Sequence, residues 1–122
     1  MSGISMRMRK EKKSELREIV SRLKRELTVE NTALVTPEVV CEHWRESEGM
    51  KACFLAFERY YFRNGSYATL SIMFTETENE QTADIAGSGG GEGLLNISWG
   101  ANQNFANLGI DALEEMGFRR EL

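Results

Sequence analysis

The segment KACFLAFERYYFRNGSYATLSIMFT, residues 51–75, decides the fold. Its first half is dense in aromatic and apolar residues, and strand geometry sends successive side chains to opposite faces. Phe54, Ala56, Glu58 and Tyr60 then share one face, with Cys53, Leu55, Phe57, Arg59 and Tyr61 on the other. Asn64-Gly65 predicts a two-residue turn, because both residues tolerate positive φ. The chain returns from Tyr67 to Thr75, where Ala68, Leu70, Ile72 and Phe74 alternate with Thr69, Ser71 and Met73. This pattern predicts a β-hairpin with a strongly apolar face, which must be covered by something else.

C-terminal to the hairpin, Glu76 to Gln81 reads as an acidic turn and Thr82 to Ala86 as a third strand. The run Gly87-Ser88-Gly89-Gly90-Gly91-Glu92-Gly93 breaks the pattern, and Leu94 to Trp99 reads as one more short strand. A closing helix is predicted from about Asn102, with Phe105, Leu108, Ala112 and Met116 on one face. Gly117-Phe118 should end it, the glycine in the left-handed conformation and the phenylalanine folding back.

On the N-terminal side, Leu16, Ile19, Val20, Leu23 and Leu27 form the stripe of an amphipathic helix, with Ser14 suited to its N-cap. Ile4 to Arg9 alternates as a strand would, although residues 1–13 also suit a basic flexible arm or an extension of the helix. Thr32 to Val35 reads as a short strand. Thr36-Pro37-Glu38 has helix-start chemistry, whereas Val39 to Trp44 is rich in β-formers, so 36–47 fits helix or strand. The sum is one α+β domain over residues 1–122. It is a two-layer sandwich in which an antiparallel sheet of three to five strands carries an N-terminal and a C-terminal helix on one face.

Composition narrows the function. The chain is 41% hydrophobic and 28% charged, ordinary globular usage that needs no metal or disulfide to fold. The absence of a long apolar run and of a secretory core predicts a cytoplasmic protein with no membrane contact. Residues 1–27 hold nine Lys/Arg against four Glu, or +5, while the remainder holds six Lys/Arg against fifteen Asp/Glu, or −9. The acidic body argues against a nucleic-acid surface. The basic run from Arg7 to Lys13 reads first as a solvated helix entrance and second as a contact for RNA or an acidic partner.

Phe57-Glu58-Arg59-Tyr60-Tyr61, Arg63-Asn64-Gly65 and Ser88-Gly89-Gly90-Gly91, followed by a terminal helix, resemble a family of small uncharacterised bacterial proteins. In that family an ERY strand enters a glycine-containing turn and a later strand ends in SGG. The resemblance covers residues 50–116 and, more weakly, the N-terminal half, and it implies a fold and a bacterial source without any chemistry. Gly91 and Gly93 depart from the family pattern.

Candidate sites are sparse. The segment 87–93 matches neither a P-loop nor a dinucleotide fingerprint, so it reads as a connector before it reads as a small-ligand loop. In the ligand reading, Ser88, Gly89, Gly90 and Gly91 act with Glu58 or with Asn102 and Asn104 at the helix start, where Asn102 also suits a cap. Glu58 is a candidate general acid or base if its face is buried, and otherwise a structural ion-pair partner. Cys41 and His43 could share a strand face, but a nucleophile pair needs convergence and an orienting group. Cys41 and Cys53 match no zinc spacing and read as small buried hydrophobes; no metal and no cofactor are expected. The leading expectation is a non-enzymatic binding or oligomerising module, a homodimer joined through the uncovered sheet face. The alternative is a small-ligand binder or enzyme using residues 87–93 and the start of the last helix.

Overall fold

The 51–75 segment lies at the heart of a six-stranded antiparallel sheet in the computed structural model, which describes residues 4–28, 37–61, 65–89 and 95–121. The elements run β1 (Ile4–Lys10), α1 (Leu16–Thr28), β2 (Glu38–Ser47), β3 (Met50–Tyr61), β4 (Ser66–Glu76), β5 (Gln81–Gly89), α2 (Leu95–Glu115) and β6 (Arg119–Arg120). The sheet order is β2-β3-β4-β5-β1-β6. Six strands replace the three to five expected. The helices are also not terminal, because β1 precedes α1 and β6 follows α2.

Period two decides the core. Cys53, Leu55 and Phe57 of β3, Leu70, Ile72 and Phe74 of β4, and Ala83 and Ile85 of β5 are buried on one face. They form a single cluster with Leu16, Ile19, Val20, Leu23 and Leu27 of α1 and with Phe105, Ala106, Ile110 and Leu113 of α2. Each fully buried Phe or Leu contributes about 1.5–3 kcal/mol. Gly109 lets α2 approach closely: a Cβ there would lie 3.0 Å from Leu70 Cδ2.

The ambiguous segment resolves as strand. Glu38–Ser47 pairs along β3 through a two-residue connection, Glu48-Gly49, with φ of 78° at Gly49. Its β-branched and aromatic residues outweigh the helix-start signal, of which Thr36 lies outside the described residues, as do Thr32 to Val35. The β3–β4 pairing ends at Tyr61–Ser66, so residues 62–65 connect these strands rather than a two-residue turn. Gly65 has the expected positive φ, 65°, and Asn64 lies outside the described residues.

Two other expectations shift. Leu95 to Trp99 is helical, not a strand, so α2 begins seven residues before Asn102, which therefore is not its cap. Both flanks of β5 are already paired, by β4 and β1, and the spacing Ile97, Ala101, Phe105 continues the helical period upstream. Gly87 to Gly89 extend β5, because hydrogen bonding to β4, and at Gly87 also to β1, overrides glycine's weak strand preference. At the other helix, Glu15 rather than Ser14 is the cap: its carbonyl accepts from Ile19 and its carboxylate from Arg17 N–H. The end of α2 is as predicted. Gly117 has φ of 102°, Phe118 N–H donates to Leu113 O, Gly117 N–H to Glu114 O, and the Phe118 ring meets Phe74 edge-on.

Ser14 has a different task. Gln81, fully buried, donates from Nε2 to Ser14 O at 2.6 Å and to a Glu76 carboxylate oxygen at 2.7 Å, and accepts from Ser14 N–H at 3.3 Å. Both of its amide hydrogens are used, and the side chain ties the entrance of α1 to the β4–β5 turn. Gln81→Ala should lower unfolding stability by about 1–3 kcal/mol, because it removes three part-buried hydrogen bonds, one of them to a carboxylate. A urea midpoint shift measures this, and an unshifted midpoint would contradict the assignment.

Candidate functional site

Among the described residues, none covers the face of the sheet turned away from the helices. Pairing aligns its side chains in cross-strand rows. Tyr60 and Tyr67 form one row, with ring centroids 5.0 Å apart. Glu38, Glu58, Thr69 and Ser88 form the second, and Cys41, Ala56, Ser71, Ala86 and Ser5 the third. His43, Phe54, Met73, Asp84 and Arg7 form the fourth; Arg45, Ala52, Thr75, Thr82, Arg9 and Arg119 form the fifth.

The rows differ in relief and charge. The third carries only small side chains, and a shallow hollow of about 410 Å³ lies over β1 and β5 beside Ser5, Arg7, Asp84 and Ala86. The fourth raises Phe54 and Met73, which are 37% and 40% exposed. Four of the seven large apolar side chains left exposed among the described residues, Met50, Phe54, Tyr67 and Met73, belong to this face. The second row is acidic at Glu38 and Glu58, and the fifth is basic at Arg45, Arg9 and Arg119.

The sequence-predicted candidates divide between the two faces. Glu58 and Ser88 stand in one row of the open face, bridged by Thr69, whose hydroxyl is 2.8 Å from that of Ser88. Gly89 ends β5, and Gly90 and Gly91 lie outside the described residues. Asn102 and Asn104 are positions on α2, the helix that packs against the opposite face. The backbone therefore groups Glu58 with Ser88 and sets the Asn positions apart from them.

Other reactive side chains are dispersed. Cys41 and His43 share the open face of β2, and no hydrogen bond joins them among the described residues. Cys53 points into the core, so the two cysteines face opposite sides of the sheet and both are free. Burial pushes the Cys53 thiol up to about 11. At the rim between α1 and β2, Glu42 accepts from Lys24 Nζ at 2.7 Å and from the Trp44 indole N–H at 2.8 Å, and the Arg17 guanidinium lies 4.1 Å over the Trp44 ring. These two hydrogen bonds hold the Glu42 carboxyl below the usual carboxylate range. The group clasps a helix to an edge strand. Among the described residues, no three His, Cys, Asp or Glu side chains converge as metal ligands, and no helix is long and apolar enough to cross a membrane.

The model of a family of unknown function, DUF6054, matches residues 5–117. The chain belongs to that family. The match takes in residues 50–116 and also β1, α1 and β2, in the half of the chain where the resemblance is weaker. No curated protein and no solved structure matches the chain.

In this DUF6054 domain the feature that sequence reasoning missed is the layout of the open face, although its signal was present. Phe54 with Ala56, and Met73 with Ser71, already alternate in the hairpin; only the pairing register shows that the large residues align in one row and the small ones in the next. Two outcomes follow from the thiol and the clasp. Cys53 should resist thiol reagents in the native protein at pH 8 and react only in denaturant, read by counting labelled thiols. Glu42→Gln should cost about 1 kcal/mol at neutral pH. Because the folded carboxyl is depressed, its stabilisation is present above the ordinary carboxylate range and fades as pH falls through the folded value, so wild type and variant should converge in acid denaturation curves.

Proposed function

We propose that this domain is a non-enzymatic interaction module that pairs with a second copy of itself through the uncovered face of the sheet. The observation that carries the reading is the concentration of exposed large apolar side chains, Met50, Phe54, Tyr67 and Met73, on the rigid paired strands β3 and β4. An apolar patch on a sheet rather than on scattered loops is the usual mark of an interaction surface. Cyclic dimers are the commonest assemblies that bury such a patch.

Competing surfaces are less suited. The free edge of β2 carries a bulge between Val39 and Cys41, together with Glu38, Glu42, Arg45 and Glu46, which are devices that blunt edge-to-edge pairing. The basic segment is engaged within the chain: Arg7 pairs with Asp84, Arg9 with Glu11 and Glu80, and Lys13 donates to Thr77 O. That engagement, with the acidic body, disfavours nucleic acid as the partner.

Sedimentation equilibrium at micromolar concentration should give twice the chain mass. Met73→Lys and Phe54→Lys should each weaken association by about tenfold or more, since charge would be placed in the centre of the patch. Both side chains point away from the core, so melting of the isolated chain should change little. A wild-type protein that stays at the chain mass would overturn the reading.

A further inference from the structure

We infer that the two copies meet about a twofold axis that lies in the interface and runs perpendicular to the strands, midway between the small row and the row of Phe54 and Met73. The inference rests on the self-pairing reading above and specifies its register. Two sheets packed face to face can be related by an in-plane twofold either along the strands or across them. Relief and charge on this face choose between the two.

An axis along the strands sets each row over itself. With that axis at the middle of the sheet, between β4 and β5, Arg45 of one copy would stand over Arg119 of the other. With the axis between β3 and β4, Phe54 of one copy would meet Met73 of the other, leaving Ala56 and Ser71 facing one another across a gap. Like charges opposed across an interface repel, and unfilled hollows lose dispersion contacts.

An axis across the strands sets each strand antiparallel over its own copy and exchanges the rows. Phe54 and Met73 then sit over Ala56 and Ser71 of the second copy, and by symmetry receive the same fit in return. The acidic row comes over the basic one. On β2, Glu38 lies over Arg45 of the second copy, with Glu58 one strand further in. Facing sheets stand about 10 Å apart, a gap that a glutamate and an arginine can bridge. Within one chain, Glu38 is opposed by Glu58, a like-charge neighbour that a partner arginine would relieve. Arg45 has no ion-pair partner among the described residues.

A charge exchange tests the register. Glu38→Arg and Arg45→Glu alone should each raise the dimer dissociation constant about tenfold at low salt, because each puts like charges together at two symmetric contacts. The double variant Glu38→Arg/Arg45→Glu keeps the net charge of wild type and should return to within about threefold of it. Both side chains are exposed on β2, and circular dichroism checks that each variant folds. If wild type dimerises but the double variant is no tighter than the singles, or the singles do not weaken it, the register is wrong while the face reading stands. If wild type is monomeric throughout, both fall.

Discussion

Once Leu70, Ile72 and Phe74 turn toward the helices, Ser71 and Met73 must turn away from them, because a paired strand has only two faces. That constraint governs the whole molecule. Two helices supply one layer of cover, and their buried apolar residues form a single cluster with one face of the sheet. Among the described residues, none covers the other face, which carries Phe54, Met73 and Tyr67 on β3 and β4.

The polar network reinforces this one-sided build. Gln81 fixes the entrance of α1 against the β4–β5 turn, and the Glu42 clasp with Lys24, Trp44 and Arg17 holds the same helix to the edge strand β2. Arg7 and Asp84 pair across β1 and β5 on the open face, so the strands that flank the apolar patch are held by charge as well as by backbone hydrogen bonds. A surface held on paired strands loses little freedom when it binds, which favours a docking role over a loop that must order first.

Much of the architecture was legible because it depends on local period. The β3–β4 alternation, the α1 stripe and the Gly117-Phe118 stop are each set by neighbouring residues, and each was found where expected. What failed depended on distant partners. β2 could not be told from a helix until β3 lay beside it, and Gly87 to Gly89 read as a break until β4 was there to pair them. Residues 95–99 carry a short alternating pattern that a helix also satisfies, and only the occupied flanks of β5 decide between the two. Glu58 and Ser88 were candidates for one ligand site, but the row that joins them is a fact of register across three strands. The contrast between knob and hollow rows is of the same kind.

Concentration-dependent hydroxyl-radical footprinting distinguishes a face covered by a second copy in solution from one left open. Met8 is fully buried in the core and serves as the internal reference, while Met73 and Tyr67 report on the open face. The account predicts that Met73 and Tyr67 are protected at high protein concentration and become oxidised on dilution, with Met8 protected throughout. Oxidation of Met73 at the same rate at every concentration would contradict it.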